Sequence, residues 1–174
     1  MIRDEALILK EKVQADEDLT KNEIMDHLEH SKIIQDLLVN PKWEPEKFVG
    51  LRALEFRLIE LSEIPFTNYL DKVQEWLQIL IKMSDIKTGF SLRGNTDGLL
   101  ACHNAIITTI LIRMNYKNRI KIDQGINWIL KYQNINRNEV CNWEGKDLFT
   151  KFGGCMKKVP CYHGVVKSII ALSE

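Results

Sequence analysis

Apolar residues recur along most of this chain at spacings of three and four, the period of an amphipathic helix, and nowhere alternate for long as a half-buried strand would. Residues 20–39 place Ile24, Met25, Leu28, Ile34, Leu37 and Leu38 on one stripe. Thr20 and Glu23 have the spacing of a capping box, and Pro41 follows, so a single helix is predicted over 20–39. The same period predicts helices over 46–63 (Phe48, Leu51, Leu54, Leu58, Leu61), 67–83 (Leu70, Val73, Trp76, Leu77, Leu80) and 99–114 (Leu99, Ala105, Ile106, Ile110). Helices over 118–133 and 161–173 complete the set, and the charged segment 2–15 reads as a weaker helix with no assignable partner. Two long connectors remain, 84–98 and 134–160. Loops beyond roughly 12–15 residues are uncommon in compact domains and usually carry function or hide an element. The pattern is that of one all-α domain over 1–174 with about six to seven helices, of which 1–39 forms an amino-terminal part.

The helices repeat. Sliding the chain by 52 residues lays Ala53 on Ala105, Leu58 on Ile110, Leu70 on Ile122, Asp71 on Asp123, Trp76 on Trp128 and Leu77 on Ile129. A shift of 59 lays CYHGVVKSII (161–170) on CHNAIITTIL (102–111), matching Cys161 with Cys102 and Gly164 with Ala105. SKIIQDLLV, 40 residues before DKVQEWLQI, supplies part of an earlier unit within 1–39. Helix pairs recurring at this period stack, because no pair buries its apolar face alone.

Composition narrows the function classes. Twenty-four Lys plus Arg balance twenty-four Asp plus Glu, which removes the field that a non-specific nucleic-acid binder relies on. The longest apolar run, 99–114, is broken by His103, Asn104, Thr108, Thr109 and Arg113, so no membrane span is expected. The opening MIRDEALILKEK carries acids where a signal peptide has a basic region, which predicts a cytoplasmic protein.

In a cytosolic chain the four cysteines are core thiols, reactive thiols or metal ligands. Cys102 and Cys161 open successive inner helices, and Cys141 and Cys155 lie in the connector between them, so an alternating stack gathers all four at one end. Four thiolates suit tetrahedral zinc, with His163 and His103 as reserve ligands, and a metal would order the apolar-poor connector 134–160. No CxxC knuckle is present, and ordinary buried thiols account for the same residues. His27 and His30 read as a solvated charged face, Trp76 and Trp128 as packing between layers, and Arg93, Lys117, Arg119 and Lys121 as scattered cations rather than an anion site.

RGNTDGLLACHNAIITTILIRMNYKNRIKIDQGINWILKYQ resembles an inner helix, turn and outer helix of the terpenoid cyclase and protein prenyltransferase superfamily, and CYHGVVKSIIALSE resembles the inner helix of a following repeat. The likeness runs over about 34–174 and implies an arc of a squalene cyclase-like α/α toroid. A closed ring takes more helix pairs than this chain supplies, so the resemblance implies self-association or a partner protein on the concave face, with an apolar or isoprenoid ligand in reach. The repeat signature QxxxGxW is not met after Gln133, and the acidic DxDD motif is missing from the chain. Prenyltransferases hold a catalytic zinc at the inner-helix end, but of their carboxylate, Cys and His only Cys161 has a counterpart, with Val159 standing where the His would be. The expectation is a non-catalytic binding or scaffold domain with a structural zinc at Cys102, Cys141, Cys155 and Cys161. The alternative is an isoprenoid-handling enzyme whose cavity is completed by oligomerisation.

Overall fold

A computed structural model describes residues 3–39, 44, 47–134, 136, 139 and 160–174. Among them are eight α-helices: α1 Glu5–Gln14, α2 Lys21–His30, α3 Lys32–Leu37, α4 Phe48–Ser62, α5 Asp71–Ser84, α6 Ala101–Arg113, α7 Arg119–Tyr132 and α8 Tyr162–Ser173. One small hairpin, β1 Asp85–Ile86 and β2 Gly89–Phe90, sits between α5 and α6. The chain is all-α, as its periodicity predicts.

The centre is α6, in which every residue from Ala101 to Leu111 is buried. Four of these are polar, and the two threonines meet the resulting desolvation by donating to carbonyls one turn back, Thr108 to Asn104 O at 2.7 Å and Thr109 to Ala105 O at 3.0 Å. On either side α4 and α8 run parallel to α6. At their starts the rings of Phe48 and His103 are 6.5 Å apart, and a Cβ on Gly164 would stand 3.4 Å from that of Ala101. At their ends one guanidinium joins all three: Arg113 donates from Nε to Glu174 Oε1 at 2.7 Å and pairs with Glu63 just past α4. The outer helices run the other way. The last turn of α5 faces Gly94, whose neighbour Arg93 covers Phe48 at the start of α4, while Gln133 just past α7 meets the starts of α6 and α8. Trp76 and Trp128, equivalent in the 52-residue register, are both buried.

The predicted helix over 20–39 is two helices. Ser31, with extended backbone and no exposure, ends α2 and caps α3 by accepting from Ile34 N at 3.1 Å. Its hydroxyl donates to Asp4 at 2.6 Å, and the same carboxylate accepts from Ala6 N at 2.9 Å and Ile33 N at 3.1 Å. One acid therefore starts α1 and docks it on α3, which the stripe pattern could not reveal because it depends on a contact 27 residues away. The capping box of Thr20 and Glu23 forms as read. The partner missing for segment 2–15 is this pair: Ala6 and Leu9 pack with Ile24, Leu28 and Ile34 in a separate cluster.

One further expectation shifts, and one is met. The helix expected from 67 begins at Asp71, because Thr67–Tyr69 is a 3-10 turn entered through left-handed Phe66. In the repeat register this turn replaces the first turn of α7. Connector 84–98 does hide elements, the hairpin and a second 3-10 turn, Thr96–Gly98. Side chains anchor the hairpin backbone: Asn104 Oδ1 accepts from Phe90 N at 2.9 Å, Asn104 Nδ2 donates to Gly125 O at 3.1 Å, and Gln124 Nε2 donates to Gly89 O at 3.1 Å. Most of connector 134–160 lies outside the described residues.

Candidate functional site

The chemistry-bearing side chains collect where the inner helices start. Glu55 follows Leu54 on the core face of α4 and is 0% exposed, while His103, third residue of α6, is 6% exposed. Nδ1 of His103 lies 2.6 and 2.9 Å from the two carboxylate oxygens. Phe48 stands edge-on to the imidazole, and the Arg93 guanidinium lies 5.5 Å from the Phe48 ring centre. Burial pushes the Glu55 carboxyl above the usual carboxylate range, opposed by the hydrogen bond and charge of His103 and then by Arg52 and Lys167. On α8, burial and then the charges of Lys167, His103 and Arg52 hold His163 below the ordinary histidine value. Arg52, Glu55, His103, His163 and Lys167 thus share one electrostatic neighbourhood spread over three neighbouring helices. Sequence reading held His103 in reserve for a metal and passed over Glu55; the signal available was an acid inside the Leu51, Leu54, Leu58 stripe, where a lone carboxylate requires a partner.

The cysteines that can be placed lie at the same end. Cys161 caps α8, its sulfur accepting from Gly164 N at 3.2 Å, and Cys102 is buried as the second residue of α6. A Cβ built on Gly164 would stand 3.3 Å from the Cys161 sulfur and 3.5 Å from Gln133 Oε1, a buried acceptor with no hydrogen-bond partner among the described residues. Cys102 and Cys161 thus stand at the starts of two neighbouring helices. Cys141 and Cys155 lie outside the described residues, and His163 sits on the exposed flank of α8, towards Lys167 rather than within the α6 packing. Among the described residues no group of three or more His, Cys, Asp or Glu is placed to hold a metal ion.

A second feature is the surface of α8. α8 packs on α6 through Gly164, Ser168 and Ala171, small residues that let the two helices approach closely. Its opposite side exposes Tyr162 (85%), Val166 (38%), Ile169 (55%) and Leu172 (46%). The 59-residue register equates Val166 and Ile169 with Ile107 and Ile110, which are fully buried in α6. The signal was present in YHGVVKSIIALS, which is apolar on nearly every side, and a helix of that kind is ordinarily covered all round.

The other candidates resolve structurally. His27 is not a freely solvated group: its Nδ1 meets Glu5 of α1 at 2.7 Å with the side chain 12% exposed, whereas His30 remains exposed beside Asp26. Lys121 pairs with Asp85 and Arg119 with Asp123, while Arg93 lies over the Phe48 ring. An open groove of about 440 Å³ runs beside the hairpin and α7, lined by Lys87, Asn127, Trp128, Lys131 and Tyr132. Among the described residues no helix is long and apolar enough to cross a membrane. Comparison with known protein families, with curated proteins and with solved structures gives no match.

Proposed function

We propose that this protein is a non-catalytic binding or scaffold module, an arc of α/α repeats whose docking surface is the second face of α8. The observation that carries this reading is the exposure of Tyr162, Val166, Ile169 and Leu172 opposite a fully packed face. Contiguous apolar surface rimmed by polar groups marks an interaction site. The acid and base that a catalyst would need point the same way: Glu55 and His103 are sealed and bonded to each other, which suits a structural tie between α4 and α6. An environment-sensitive apolar dye, anilinonaphthalene sulfonate, tests the surface. The dilute folded chain is expected to enhance its fluorescence saturably, and Ile169→Glu to abolish the enhancement with an unchanged melting temperature. A native chain that leaves the dye as dim as buffer does refutes the reading.

The rim where these helices start fits a structural zinc in part. Cys102 and Cys161 open neighbouring parallel helices, Cys102 as second residue of α6 and Cys161 as the cap of α8. They would supply two ligands, with Cys141 and Cys155 as the remaining pair and His163, which its surroundings keep neutral, as a substitute. Bound zinc would tie the segment after α7 to the starts of α6 and α8. Near-stoichiometric zinc in the purified protein, lost in Cys161→Ser, is the expected result. Metal-free protein with four alkylatable thiols removes the clamp.

A further inference from the structure

We infer that the open face of α8 pairs with the same face of a second copy of this chain, the two helices lying antiparallel about a two-fold axis. This rests on the reading of that face as the docking surface, and adds the identity of the occupant.

Three observations lead there. First, the repeat register says what kind of cover the face takes: its counterpart on α6, Ile107 and Ile110, is sealed by packing with other helices of the apolar core, including α5. The occupant is therefore an amphipathic helix with its own apolar stripe. Second, α8 carries such a stripe, and its residues are arranged symmetrically about the helix midpoint between Lys167 and Ser168. Reversing a second α8 about that point sets Val166 against Ile169 of the other copy, Ile169 against Val166, Tyr162 against Ser173 and Leu172 against His163. The branched apolar side chains meet reciprocally at the centre, and at each end the Tyr162 ring lies over the small Ser173, as a self-complementary two-fold contact allows. Third, charge does not oppose the pairing. His163 and Lys167 lie on the flank that turns towards Glu55 and His103, and Glu174 is engaged by Arg113, so the stripe itself carries no charge.

A single pair of helices of this length gives an interface at or below the low end of stable complexes, so association in the micromolar range is expected. Sedimentation equilibrium on the full chain, from about 1 µM to about 300 µM, reads it directly. The weight-average mass should climb from 20.3 kDa towards twice that value. Ile169→Glu and Val166→Lys, both at exposed positions, should each stay at the single-chain mass with unchanged helical circular dichroism and melting temperature. An equimolar mixture of the two variants should associate again, because the two-fold axis sets position 166 of one copy against 169 of the other. A wild-type chain of single-copy mass throughout overturns the pairing while leaving the dye-binding surface standing. Association that survives Ile169→Glu, or a variant mixture that stays monomeric, overturns the geometry.

Discussion

Replacing His103 with Leu leaves the Glu55 carboxylate sealed in the core without its partner. Both carboxylate oxygens lie within 3 Å of Nδ1, and neither residue has an exposed route to water to compensate. Removing one member of a buried pair costs about 3–5 kcal/mol. At about 2–4 °C per kcal/mol for a chain of this size, the melting temperature at neutral pH should fall by roughly 6–20 °C. The loss should depend on pH with a definite sign. Glu55 has a folded-state pKa above its unfolded value of 4.5, so the stability it contributes is fully present below pH 4.5 and is lost as pH rises through the folded value. Denaturant titrations of His103→Leu from pH 4 upward should therefore show the smallest deficit at the acid end. Glu55→Leu combined with His103→Leu, which removes both polar groups, should recover most of the loss, since an apolar pair of similar volume serves as well as a buried ionic one. A His103→Leu chain within about 0.5 kcal/mol of wild type at pH 7, or a double variant worse than either single one, would refute the account of this pair.

The remaining predictions concern packing and caps. Gly125→Ala places a Cβ 2.1 Å from Thr108 Oγ1 and 3.0 Å from Phe90 Cε2, and should lower stability by about 1–3 kcal/mol in denaturant titration; an unchanged midpoint would mean α6 and α7 are not in that contact. Ser31→Ala removes the α3 cap and the hydroxyl bonded to Asp4, with an expected loss of about 1–2 kcal/mol. Burial works against it, but the bonds from Ser31, Ala6 and Ile33 hold Asp4 below its ordinary carboxylate value, so its contribution is present above pH 3.8 and lost as pH falls through the folded value. Ser31→Ala should therefore melt with less acid sensitivity than wild type.

Much of this fold was legible in the chain and some of it could not be. Stripes such as Leu51, Leu54, Leu58 and Leu61 predict both a helix and its buried face, and the equivalence of Trp76 with Trp128 predicts two outer helices doing the same job. What local periodicity cannot carry is any feature set by a distant partner. The break at Ser31 depends on Asp4, the ordered hairpin on Asn104 and Gln124, and the burial of Glu55 on His103, each separated from its partner by 14 to 48 residues. The cysteines mark the boundary: the sequence places Cys102 and Cys161 at the starts of two helices, while ligand geometry there is not a property of spacing. That α8 is apolar on nearly every side was readable in composition, but a stripe does not say which of its sides is covered.

Hydroxyl-radical footprinting of the dilute chain puts the openness of that face to the most direct test. Tyr162, Ile169 and Leu172 should be oxidised rapidly while Ile107 and Ile110 stay protected, and the three should become protected together as protein concentration rises through the micromolar range. Tyr162 and Ile169 reacting as slowly as Ile110 at the lowest concentration would show the face already sealed within a single chain, and would contradict its role as a docking surface.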